Sequence, residues 1–208
     1  NKVTKKLTQF TRELYMLRSN RLLLRAIEES DLPIISFWRS QPEVYEYFYE
    51  YLPISVRQQK NWYEKQLQDS SEINFVVADI KTGKAIGTVS IYHIDRRSRK
   101  AEWGRLIIGD PSARSGGKGA EIEALVLQYS FEHLNLNKLY CEVLLQNEKV
   151  VSLHKKFGFH HEGVLRQHAF KAGKYEDVVM LSMLAEEYFF NKDKGKLAEI
   201  FTRMNGNI

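Results

Sequence analysis

Leu106-Ile107-Ile108-Gly109-Asp110-Pro111-Ser112-Ala113-Arg114-Ser115-Gly116-Gly117-Lys118-Gly119-Ala120 is the stretch on which the fold turns. Three apolar residues end a strand, Gly109-Asp110-Pro111 makes a turn, and a glycine-rich loop leads into a helix. That helix carries Ile122, Leu125, Val126, Tyr129 and Leu134 on one face, at helical spacing. Glycine lets backbone turn tightly and approach a ligand closely. The free N–H groups and positive dipole end of a helix start attract anions, and Arg114 and Lys118 add positive charge. The loop is therefore suited to phosphate oxygens. It lacks the Lys-Ser/Thr that closes a Walker loop, and it lacks the G-x-G-x-x-G of dinucleotide folds. Its own pattern is Arg-x-x-Gly-x-Gly, at Arg114, Gly117 and Gly119.

Upstream, residues 21–27 read as a strand, and Ser30 or Asp31 caps a helix through Trp38 and Arg39. An aromatic segment spans 43–51, between Pro42 and Pro53, and Ser55 caps a helix to about Leu67. Strands follow over 73–79, 85–94 and 99–108, the first two joined by Lys81-Thr82-Gly83-Lys84. Downstream of the loop helix, residues 138–144 form a strand. Asn147 then caps a helix that Gly158 terminates. Residues 159–170 and 174–184 make a closing antiparallel pair about Gly173. This alternation, with hairpins at both ends, predicts an α/β domain with a mixed sheet. The expected organisation is an extension over 1–20, either a short helix over 7–17 or a flexible segment, then one domain over 21–190 and a polar, partly helical tail over 191–208.

At 208 residues and 43% apolar composition, the chain has the material for one sizeable core. No apolar run reaches the roughly 18 residues of a membrane span, and the N-terminal residues are polar and basic rather than signal-like. A cytoplasmic enzyme with no membrane partner is the expectation. The net charge of +5 suits an anionic partner. The basic residues are scattered and match no nucleic-acid motif, so a phosphate-rich cofactor is preferred over nucleic acid. The single cysteine, Cys141, lies in a strand and reads as a buried thiol. His160 and His161 lack a matching carboxylate spacing, and no metal site is expected.

A second motif settles the family resemblance. Asn147-x-x-Val150-x-x-Leu153-His154-x-x-Phe157-Gly158-Phe159, together with the Arg-x-x-Gly-x-Gly loop, resembles the GNAT N-acetyltransferases over roughly residues 21–188. The ending Glu162-Gly163-Val164-Leu165-Arg166, with Gly173-Lys174-Tyr175-x-Asp177-Val178, looks like the branch holding ribosomal-protein and spermidine acetyltransferases. Ala101-Glu102-Trp103-Gly104, residues 137–143 and residues 153–159 resemble more narrowly the nucleotide-linked amino-sugar N-acetyltransferases of pseudaminic acid biosynthesis. The resemblance implies a GNAT fold, with a mixed, mostly antiparallel, splayed sheet flanked by helices. It implies acetyl-CoA as cosubstrate, no metal, and a small-molecule primary amine as acceptor, and it is compatible with a homodimer. Backbone of Leu106, Ile107 and Ile108 would pair with pantetheine. Arg114, Ser115, Gly116, Gly117, Lys118, Gly119 and Ala120 would hold pyrophosphate. Asn147 would bond the pantetheine arm, and Lys155 would reach a CoA phosphate.

Direct attack of an amine on a thioester needs a proton acceptor, donors for the developing oxyanion, and a proton for the leaving thiolate. Glu102 is the candidate base, with a surface salt bridge as its alternative; His93 is a weaker candidate. His154 stands where many GNAT relatives carry the tyrosine that protonates the thiolate. Histidine donates protons near neutral pH, though its reach is shorter, and Tyr140 or Tyr175 are the substitutes. For the acceptor, Arg39, Phe48 and Tyr49 would suit a nucleotide-linked amino sugar through stacking and a diphosphate contact; core packing is their other reading. Glu43, Glu46 and Glu50 keep a polyamine open, a protein N-terminus is a third acceptor, and a silent acyl-CoA-binding module is the non-enzymatic alternative.

Overall fold

The computed structural model describes residues 17–49 and 53–206. Apart from Leu17, the short helix expected over 7–17 lies outside these residues, as do Glu50 and Tyr51. The strands are β1 (Leu22–Ala26), β2 (Ile73–Asp79), β3 (Ala85–Asp95), β4 (Lys100–Ile108), β5 (Lys138–Leu144), β6 (His160–Lys171) and β7 (Lys174–Leu184). Among the described residues they form one sheet in the order β1-β2-β3-β4-β5-β7-β6. Only β4 and β5 run parallel; every other neighbouring pair is antiparallel. The helices are α1 (Leu32–Arg39), α2 (Pro42–Tyr45), α3 (Val56–Gln66), α4 (Lys118–Gln128), α5 (Glu148–Phe157), α6 (Ala185–Lys192) and α7 (Gly195–Asn205). The α/β class and the mixed, mostly antiparallel sheet are as expected.

Side chains alternate across each strand and so supply two cores. One face buries Leu22, Leu24, Phe75, Val77, Trp103, Leu139 and Cys141 against α4, α5 and α7. The other buries Val76 and Ile107 against Leu32, Ile35 and Trp38 of α1, with Trp62 and Tyr63 of α3 at its margin. Local signals explain the helix limits. Ser55 accepts from Gln58 N, and Gln58 returns a bond to Ser55 N, a capping box that starts α3. Gly158, at φ 103°, ends α5 in the left-handed conformation, as anticipated.

Two irregularities in β4 set up the site. The first is a bulge. Thr88 pairs with Ile107 and Ser90 with Gly104, so β4 advances by three residues where β3 advances by two. Arg105 is the extra residue, at φ 50°. The bulge inverts the alternation: Ala101 and Trp103 belong to the α4/α5 core, and so, past the bulge, do Leu106 and Ile108. The second is a splay. The β4–β5 register contains Lys100↔Lys138, Ala101↔Leu139 and Glu102↔Tyr140 and goes no further. Beyond Glu102 the two strands part, as the family resemblance implied.

The C-terminal segment is helical over Gly195–Asn205. Leu197, Ile200, Phe201 and Met204 of α7 recur at helical spacing, and all four are buried in the main core. At the other end, Leu17 belongs to the same core, and Asn20 N donates to Met204 O at 3.0 Å.

Candidate active site

Past the splay, the edge of β4 at Leu106, Ile107 and Ile108 has β3 on one side and no β5 pairing on the other. The glycine loop follows. Asp110 Oδ1 accepts from Ser112 N at 2.9 Å and starts a single 3-10 turn, Pro111–Ala113. Gly116 and Gly117 have φ of 74° and 77°, the left-handed region. A Cβ on Gly117 would meet nothing within 4 Å, and one on Gly119 would meet only Ile108 Cδ1, at 3.6 Å. The loop therefore borders open space, and Gly117 as N-cap supplies no side chain to the first amides of α4. These amides are the donors an anion would engage. Arg21, just before β1, braces the loop: its Nη1 donates to Gly116 O at 3.1 Å, and it pairs with the buried Glu121. Arg114 folds back, donating from Nε to Ile108 O at 3.0 Å with Nη2 3.7 Å from Glu43. Asn147 precedes α5 as its N-cap residue without a side-chain cap bond, and its side-chain amide is open to a ligand. Lys155 is exposed on α5. These features fit a CoA pyrophosphate and pantetheine arm.

On the α1 side of the sheet, Glu102 is 7% exposed. Its carboxylate accepts from the Tyr92 hydroxyl at 2.8 Å and lies 3.0 Å from His93 Nδ1. Burial pushes its pKa up; the bonds to Tyr92 and His93 oppose this, and the charge of Glu142 adds to the rise. Glu142, two residues past Tyr140 on β5, accepts from the Tyr49 hydroxyl at 2.7 Å and lies 3.5 Å from His168 Nε2. Burial and these carboxylates hold the Tyr49 and Tyr92 phenols protonated. Arg105, placed by the bulge, lies 4.1 Å over the Tyr92 ring and pairs with Glu72 at 2.8 Å. The result is a group of two carboxylates, each accepting from a neutral phenol, beside the splay.

On the α4/α5 side, His154 is 5% exposed. Its Nδ1 lies 2.7 Å from Glu123 Oε1. Its ring stands edge-on to Trp103 at 5.1 Å between centroids and 5.4 Å from Phe159. Trp103 directly follows Glu102, the last paired position of β4. Successive residues point to opposite faces, so Glu102 and His154 flank the opening of the splay from opposite sides. The Trp103 Nε1 donor is buried there without a partner, a group a bound molecule would satisfy.

Residues 21–160 match the family model described as acetyltransferase (GNAT) domain. The chain belongs to the GNAT acetyltransferase family. It is 33% identical over 170 residues to the spermidine N(1)-acetyltransferase of Vibrio cholerae, covering 82% of this chain and 96% of that one. It is 30% identical over 165 residues to the Escherichia coli enzyme of the same name, covering 79% and 87%. A crystal structure of the Vibrio cholerae spermidine N-acetyltransferase with CoA and spermine superposes with a TM-score of 0.76 at 33% identity, covering 81% of this chain and 98% of that chain. The protein is thus an acetyl-CoA-dependent acetyltransferase, and the silent acyl-CoA-binding alternative falls away. These likenesses run to spermidine enzymes, and they do not show the closer kinship with amino-sugar enzymes read from the short sequence runs.

Within this GNAT domain the expected residues fare unequally. Glu102, His154, the β4 edge and the glycine loop gather around the splay. The acceptor trio is partly engaged elsewhere. Phe48 packs against the α1 core, Arg39 Nη1 reaches Gln59 Oε1 at 3.4 Å, and Tyr49 is bound to Glu142. The segment is held by Lys171, whose Nζ donates to the carbonyls of Tyr45, Glu46 and Phe48. Tyr175 is 63% exposed and packs on Phe170 at the end of the β6–β7 hairpin, away from Tyr140. Cys141 is buried, and burial drives its thiol pKa well up, as a structural thiol requires. His160 pairs with Glu187 at 3.2 Å. Glu142, Tyr92 and Glu123 were not anticipated. Glu142 had one legible signal, its i,i+2 relation to Tyr140 on a strand beside the splay. Tyr92 and Glu123 had none, because their partners lie on other elements.

Proposed function

We propose that this GNAT enzyme acetylates a primary amine of a linear polyamine of the spermidine class. The observation that carries this reading is the pair Glu102 and Glu142, on adjacent strands at the splay, close enough for the charge of Glu142 to raise the pKa of Glu102. A polycation neutralises such a pair, whereas the diphosphate of a nucleotide-linked sugar would be repelled by it. Likeness to spermidine acetyltransferases over four-fifths of the chain supports the same acceptor.

In this reading the backbone of Leu106 to Ile108, the amides of the loop from Arg114 to Ala120, Asn147 and Lys155 hold acetyl-CoA, which supplies an activated acetyl thioester. Glu142 anchors the cationic acceptor. Glu102 removes a proton from the attacking amine, directly or through water. Its raised pKa brings it nearer the operating pH of a general base. His154, across the splay, gives a proton to the departing sulfur. The test is an acetyl-CoA consumption assay with spermidine, spermine, a UDP-linked amino sugar and a peptide with a free N-terminus. Efficient turnover of the polyamines alone is expected. Turnover of the amino sugar with the polyamines ignored would overturn the acceptor and return the role to Arg39, Phe48 and Tyr49.

A further inference from the structure

We infer that Glu123 is a positioning residue that fixes which imidazole nitrogen of His154 faces proton transfer. The inference rests on the reading of His154 as the acid for the leaving thiolate. Glu123 is 1% exposed, in the middle of α4, with His154 5% exposed in the last turn of α5. Their contact, 2.7 Å from Oε1 to Nδ1, leaves Nε2 without a hydrogen-bond partner among the described residues.

A buried carboxylate–imidazole pair is a poor way to gain stability, since desolvation offsets most of the attraction and an apolar pair would serve as well. Its placement argues for another role. The ring contact with Trp103 sets the pair at the mouth of the splay. Three features then favour a ring whose Nδ1–H is committed to Glu123 and whose Nε2 is left for proton transfer. Glu123 places an oxygen at hydrogen-bond distance from Nδ1; burial pushes its pKa up, and the contact with His154 opposes that rise. The C-terminal turn of α5 favours positive charge. The packing of Trp103 and Phe159 fixes the ring plane. An acid and its orienting carboxylate are a recurrent arrangement in which the second group sets tautomer and angle.

Proton accounting follows. As the amine nitrogen bonds to the acetyl carbon and the carbon–sulfur bond breaks, the sulfur takes the Nε2 proton. The proton lost from nitrogen passes to Glu102. His154 is left neutral with Nδ1–H still on Glu123, and it recovers its Nε2 proton from water. Without Glu123 the neutral ring is free to keep its proton on Nε2 and expose a bare Nδ1 to its packed side, so the donor is no longer renewed in the working orientation.

The test begins with the wild-type protein alone. Long-range 1H–15N correlation of 15N-histidine-labelled protein should show the neutral His154 ring protonated at Nδ1. A neutral ring protonated at Nε2 instead overturns the inference without any variant. Glu123→Gln, which keeps the shape, should lower kcat by about ten- to a hundredfold, the scale of losing a group that orients a catalytic one, with KM for acetyl-CoA and spermidine within about twofold. In a His154→Ala background the same change should cost nothing further, because a group that acts only through His154 has no effect once it is gone. An equal loss in that background makes Glu123 structural and overturns the inference. Full rate in Glu123→Gln with a crippled His154→Ala sinks the role of Glu123 alone, whereas full rate in His154→Ala sinks the acid assignment itself.

Discussion

Glu102 holds its proton to higher pH than an exposed carboxylate, because burial disfavours its charged form and Glu142 adds a like charge. As the proposed base it is active only when ionised, so its raised pKa moves the acid limb of kcat/KM upward. Glu102→Gln should lower kcat/KM by about a hundredfold above that limb, within the range of general-base losses. The two enzymes should converge below it, where the wild-type base is also protonated. Profiles measured from about pH 5 to pH 9 that run parallel would remove Glu102 as base. In the proposed reading Glu142 has a different duty, anchoring the acceptor rather than taking the moving proton. Glu142→Gln should raise KM for spermidine by about tenfold, the scale of a hydrogen bond to a charged group, while KM for acetyl-CoA stays within about twofold. An unchanged spermidine KM would show that the acceptor is anchored elsewhere.

At the scale of elements, the glycine loop and its helix show what local sequence can specify. Ser55 and Gln58 wrote a capping box, Gly158 a helix end, and the strands Ile73–Asp79 and Lys138–Leu144 fell within their expected limits. Each of these signals is contained in a few consecutive residues. The β4 bulge is not. One extra residue, Arg105, reverses the facing of everything after it, and nothing in Trp103-Gly104-Arg105-Leu106 announces the shift. Nor could spacing bring Glu123 to His154, 31 residues away on another helix, or Tyr49 to Glu142, 93 residues away. The loop itself yields a direct prediction. Gly117 sits at φ 77° facing open space, a conformation that costs an L-residue about 1–2 kcal/mol. Gly117→Val strains the turn and places methyls where a pyrophosphate would approach the amides. Calorimetry should show acetyl-CoA binding weakened at least about tenfold. Undiminished binding by a folded variant would mean that the loop is not the pyrophosphate site.

At the scale of the molecule, α7 ties the segment before β1 to the helix beside the site. It covers α4, the helix that carries both Glu121 under the loop and Glu123 beside His154, and its C-terminal end meets Asn20. This explains why α4 is buried almost all round, Glu121 through Leu127 without an exposed position, although its sequence shows the one-faced pattern of a surface helix. The apolar stripe of α7 was present in the sequence at Leu197, Ile200, Phe201 and Met204, but the lysines and asparagines around it gave the segment a solvated character. A helix that completes the core should melt with it rather than before it. Leu197 is 1% exposed, and Leu197→Ala should cost about 2–5 kcal/mol through lost burial and the cavity left behind. For a chain of this size that lowers Tm by roughly 4–20 °C. The melt should remain a single transition, and kcat at low temperature should stay within about twofold, because no proposed contact to acetyl-CoA or acceptor comes from α7. Calorimetry showing an unchanged Tm would mean that α7 only rests on the surface. A new early transition would mean that it detaches independently, and the burial of Glu123 would then have to be maintained by α4 and α5 alone.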